Sequence, residues 1–87
     1  MSDLAAPGGH LPEAPAPGLA WARVADDIAA RISSGELAAG TRLRAERELA
    51  VHYGRSYGTV RRAMESLRER GLVVTVHGCG TYVRGLR

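Results

Sequence analysis

The sequence has no lysine and no phenylalanine, and its single cysteine is Cys79. One cysteine cannot close an internal disulfide, and a lone thiol fits a reducing cytoplasm. Without lysine there is no phosphate-cradling G-x-x-x-x-G-K-[ST] loop. Histidine is scarce too. His10, His52 and His77 assemble no Ser-His-Asp or Cys-His-Asn arrangement, and His77 with Cys79 offers two ligands where a structural zinc site takes four. No apolar run approaches the roughly 20 residues of a membrane span. No basic stretch followed by an apolar one opens the chain, as it would in a secretory signal. These absences exclude an enzyme with recognisable site residues, a metal centre, a cofactor and a membrane partner, and they point to a cytoplasmic protein. Proline is missing from everything after residue 17, because all four prolines lie in residues 1–19 together with three of the eleven glycines. That stretch, MSDLAAPGGHLPEAPAPGL, has little to bury and reads as a disordered arm.

What the chain has in quantity is arginine. All twelve basic residues are arginines, set against nine acids. Residues 1–20 hold two acids and no arginine, whereas residues 21–87 hold twelve arginines and seven acids, a net of +5. Basic charge concentrated in the folding part favours a polyanionic partner. The length of 87 residues permits one domain with a modest core, placed at 20–87.

Periodicity and caps divide that domain. Trp21, Val24, Ala25, Ile28 and Ile32 predict a helix over about 20–34, closed by Gly35. A turn at Gly40 precedes a brief extended piece, Thr41-Arg42-Leu43, and a second helix over about 45–53. Ala45 at its cap position cannot accept an amide hydrogen bond, whereas Glu46 and Glu48 suit the helix dipole. Gly54 supplies a left-handed stop. Ser56 then caps a helix in which Val60, Ala63, Met64 and Leu67 form an i, i+3, i+4, i+7 stripe. Tyr57, Gly58, Arg61, Arg62 and Glu65 fall on its other side. Two helices joined tightly at a glycine have the spacing of a helix-turn-helix, whose second helix offers adjacent arginines to a DNA major groove. After Gly71, the β-branched run 72–76, the glycine-rich turn 77–80 and the run 81–84 predict a β-hairpin, a wing beside that helix. The fold class is mainly α with a small hairpin: three helices plus a wing.

This order of parts, with GELAAGTRLRAERELA, GTVRRAMESLRERGLV and HGCGTYV, resembles the DNA-binding domain of the GntR family of bacterial transcription regulators over about 21–83. The resemblance implies a winged helix-turn-helix, a repressor-like role and a dimer on an inverted-repeat operator in double-stranded DNA. It also implies site residues. Arg47 matches an operator-contacting arginine, and Thr59 and Arg61 match phosphate and base contacts. Ser56 matches a capping hydroxyl that touches phosphate, and Gly78 and Gly80, beside His77, match the wing-tip glycines. Arg44 and Arg62 are added as phosphate contacts. The sequence departs from the family where Leu-Pro-Ser-Glu becomes Leu43-Arg44-Ala45-Glu46, and where the usual base-reading arginine becomes Tyr57, which is expected to reach a base edge beside Arg61 with only weak preference. Family members usually carry a larger C-terminal domain that binds an effector and dimerises. This sequence ends four residues after Val83, as either a naturally minimal regulator or a fragment, and no small-molecule effector site is evident in it. It is therefore expected to be a monomer or weak homodimer that pairs more strongly on DNA. A reading from another class is a winged helix that docks on a larger regulator without useful DNA affinity.

Overall fold

The computed structural model describes residues 17–84. It comprises three helices, α1 (Pro17–Ser33), α2 (Glu46–Tyr53) and α3 (Tyr57–Glu69), followed by two strands, β1 (Val73–Val76) and β2 (Gly80–Val83). The expected disordered arm lies outside the described residues except at its end, and there it is corrected. Helix α1 begins at Pro17, three residues earlier than the composition suggested. A proline in the first helical turn forfeits an amide that has no intrahelical acceptor anyway, and its fixed φ already suits the helix. Residues 1–16 and 85–87 are not described.

Helix α1 buries Ala20, Val24, Ala25, Ile28 and Ile32 along one face, and it packs mainly against α3. Helix α3 contributes the stripe read from its periodicity: Val60, Ala63, Met64 and Leu67 are all at or below 1 % exposure. Leu43, Leu49, Val73 and Val83 complete the core. Both helix stops around the turn use local chemistry. Gly54 takes φ +63, and the amides of Gly54 and Arg55 donate to the carbonyls of Val51 and Ala50. This is the paired bonding that satisfies the last turn of a helix whose stop residue is left-handed. Helix α3 ends the same way, with Gly71 and Leu72 donating to Arg68 and Leu67. The start of α2 lacks a side-chain cap, as expected from Ala45. Half of a capping box survives, because the Glu48 carboxylate accepts the Ala45 amide at 3.1 Å.

The hairpin pairs antiparallel, Val73 with Val83 at its base and Val76 with Gly80 at its far end. Only the base is buried in the core, so the strands project as a wing. The piece around Arg42, expected to be merely extended, pairs with β2. Arg42 bridges Tyr82, the Leu43 amide donates to Thr81, and the Val83 amide donates to Thr41. The segment leading into α2 therefore forms a third rung of the wing.

A polar network joins α1 to α2. The Tyr53 hydroxyl donates to the Asp27 carboxylate at 2.6 Å, and Arg31 donates to the same oxygen at 2.9 Å while also pairing with Glu36 at 2.7 Å. The Tyr53 hydrogen bond holds the Asp27 carboxyl below its ordinary range, and burial together with donation to Asp27 pushes the Tyr53 phenol up to about 12. The two shifts act at opposite ends of the pH scale. Asp27, with a lowered folded pKa, contributes stability above the unfolded value of about 3.9 and loses it as pH falls through the folded value. Tyr53, with a raised one, contributes below about 10 and loses its contribution as pH rises towards 12. Tyr53→Phe is expected to cost about 1 kcal/mol at neutral pH, below the roughly 1.5–3 kcal/mol of a bond to a charged group in a dry setting. The Asp27 side chain is 42 % exposed, which weakens the bond. Urea unfolding at pH 3, 7 and 11 checks this: the difference between the two proteins shrinks towards both extremes.

Candidate nucleic-acid interface

The interface is built outward from the start of α3. Ser56 is its N-cap: its hydroxyl oxygen accepts the Thr59 amide at 3.1 Å, and its proton is donated to the Thr59 hydroxyl at 2.9 Å. Ser56 is thus occupied within the helix, which leaves the Thr59 hydroxyl proton to donate outward. The first amides of α3, those of Tyr57 and Gly58, precede any intrahelical acceptor and carry the positive end of the helix dipole. An anion is favoured at this end.

Beside Ser56 and Thr59, three more of the expected site residues come together here. Tyr57, 45 % exposed, has the Arg47 guanidinium 5.5 Å from its ring centroid and that of Arg61 5.9 Å away. Arg47 comes from the first turn of α2 and Arg61 from the second turn of α3, so the turn at Gly54 brings them to one place. Arg44, exposed, stands just before α2 beside Glu48, Val51 and His52. Arg62 does not join the group. Its guanidinium lies 4.2 Å over the Trp21 ring and 3.6 Å from Glu65, which turns it towards α1. Trp21 accordingly covers the edge of the core and is covered in turn by Arg62.

His77, Gly78 and Cys79 form the exposed turn of the wing, with the Cys79 amide donating to Val76. The wing is fastened beside α3 by Arg68, which donates to the Thr75 hydroxyl at 3.0 Å, and Thr75 meets Thr81 at 3.0 Å. Gly80, expected in the turn, is instead the first residue of β2 and pairs with Val76. The Arg42 side chain crosses it so closely that a Cβ at position 80 would stand 2.8 Å from Nε, at a φ of +132. A side chain there would push the Arg42 side chain aside and would strain a backbone conformation that L residues rarely adopt. Arg42 is therefore a cation laid on the wing from the segment before α2, and it was not among the expected site residues. The signal was absent because the pairing of Arg42 with Tyr82 spans half the domain.

Among the described residues, no group of three or more His, Cys, Asp or Glu is placed to hold a metal ion, and no helix is long and apolar enough to cross a membrane. An open cleft of about 240 Å³ lies between α1, the segment before α2, and α2. It is smaller than the roughly 300–1,000 Å³ of drug-sized ligand sites, and Arg31 on its wall is already paired with Asp27 and Glu36.

Comparison with known proteins gives a consistent result. The family described as bacterial regulatory proteins, gntR family, matches residues 21–83. The HTH-type transcriptional regulator SmoD of Agrobacterium fabrum is 33 % identical over 79 residues, which are 91 % of this chain and 31 % of that protein. The histidine utilization repressor of Pseudomonas aeruginosa is 38 % identical over 82 residues, 94 % of this chain and 32 % of that one. The chain thus spans about a third of the length of these curated relatives. The crystal structure of AraR(DBD) in complex with operator ORR3 superposes with a TM-score of 0.74 at 31 % identity, covering 90 % of this chain and 89 % of that one.

Proposed function

We propose, from the premise that this chain belongs to the gntR family of bacterial regulatory proteins, that residues 17–84 act as the operator-binding module of a transcriptional regulator with a repressor-like role. The observation that carries the reading is the likeness to AraR(DBD), solved with operator DNA, over nine-tenths of the chain. The exposed cations fit that use. Helix α3 enters the major groove by its N-terminal turns, the part of a recognition helix that faces base edges. Arg61 reads a base through its planar fork. Arg47, Arg44, the Thr59 hydroxyl and the free amides of the first turn of α3 hold phosphates and set the register. The wing lies against the adjacent backbone or minor groove through His77, Gly78 and the close approach at Gly80, and Arg42 supplies the cation that the turn itself lacks. Arg62, drawn onto Trp21, contributes to the joint between α1 and α3. Two copies on an inverted repeat form the working unit, in the cytoplasm.

The test is electrostatic. Log affinity for duplex DNA falls linearly with log salt, by about 0.9 for each phosphate contact. Arg47→Ala weakens binding to all sequences alike and reduces the slope by about 1. Fluorescence anisotropy at several salt concentrations measures both. A salt-independent affinity would replace this reading with a protein-docking winged helix.

A further inference from the structure

We propose that Tyr57 is a positioning residue that holds Arg47 and Arg61 as one pre-ordered pair of guanidiniums for the DNA. The proposal rests on the operator-binding reading above and specifies how its two central arginines are presented. Both guanidiniums, at 5.5 and 5.9 Å, fall within the distance of about 6 Å at which the face of an aromatic ring attracts a cation. They arrive from different helices, so the ring couples α2 to α3 at the interface itself. Among the described residues Arg31, Arg62 and Arg70 are each held by a carboxylate, whereas no ion pair joins Arg47 or Arg61 to an acid. The negative face of the ring attracts each guanidinium. It engages their charge and leaves the N–H forks to meet an anion or a base edge.

The backbone of Tyr57 is fixed by the helix start. Tyr57 is the first residue of α3, directly after the Ser56 cap, and its ring has only two side-chain torsions to fix. Two long arginine side chains ordered before DNA arrives give up less freedom on binding, an advantage of about tenfold in affinity. An arginine at this position would instead add a third like charge.

The whole chain and one fixed duplex suffice for the test, at constant salt. Tyr57→Phe keeps the ring and is expected to bind as tightly as the unaltered chain, whereas Tyr57→Leu weakens binding about tenfold. The ring is exposed and outside the core, so thermal melts of the three proteins coincide. In the free protein, the Nε–H resonances of Arg47 and Arg61 carry ring-current shifts that persist in Tyr57→Phe and vanish in Tyr57→Leu. With Tyr57 present, losing both arginines costs less than the product of the single losses; in the Tyr57→Leu background the losses multiply. Unchanged binding in Tyr57→Leu, or a loss in Tyr57→Phe as large as that in Tyr57→Leu, overturns the proposal. Failure of the unaltered chain to bind DNA in a salt-dependent way is a different result: it overturns the operator-binding reading, and the clamp's purpose with it.

Discussion

Arg61→Ala is expected to remove most of the discrimination between a selected operator and unrelated DNA, while the domain stays folded. Arg61 is exposed on α3, one turn beyond Tyr57, and it is absent from the buried set that holds α1 against α3. Its removal leaves no cavity, and the Ser56 cap and the closure at Gly71 are made by other residues. A bidentate arginine–guanine pair is worth about 1–3 kcal/mol of discrimination, which is roughly five- to 150-fold for each half-site. Competition assays with single-base operator variants at fixed salt measure it. The preference should collapse at one base position in each half-site. An equal loss on operator and unrelated DNA would place Arg61 on a phosphate instead.

Leu67→Ala acts on the other side of the same helix and is expected to unfold a large fraction of the domain. Leu67 is fully buried in the one core shared by α1, α3 and the base of the wing, and its carbonyl also accepts the Leu72 amide that closes α3. Truncating a buried leucine costs about 2–5 kcal/mol, the range depending on how far the site collapses. A core this small supplies only about 3–5 kcal/mol of net stability. Urea titration followed by circular dichroism should show a midpoint near zero denaturant, and DNA binding should fall in proportion to the folded fraction. Val51→Ala is the control: Val51 is 82 % exposed, so the change should stay within about 0.5 kcal/mol. A cooperative Leu67→Ala protein with near-native stability would show that the core repacks around the loss.

Much of this architecture was legible in the sequence because its signals are local. Val60, Ala63, Met64 and Leu67 mark the buried face of α3 by spacing alone. Ser56, Gly54 and Gly71 mark helix ends through bonds made within a few residues. The ordered set of these marks made the family resemblance readable, and the match over residues 21–83 agrees with it. Pro17 was misread because proline was weighed as a breaker, when at a helix start it breaks nothing. Other features were decided only by the tertiary structure. Tyr53 meets Asp27 across 26 positions, Arg42 lies on Gly80 from the segment before α2, Arg62 turns to Trp21, and Arg47 and Arg61 both lie near the Tyr57 ring. Helix periods and caps are written within about four residues, because the hydrogen bonds that define them span that distance. An exposed arginine is under no burial constraint, and its long side chain reaches whichever ring, carboxylate or strand the packing of the helices brings near. The twelve arginines therefore pointed to a polyanionic partner as a group, but where their side chains lie, with Arg62 over Trp21 and Arg47 and Arg61 at Tyr57, was decided by how α1, α2 and α3 pack together.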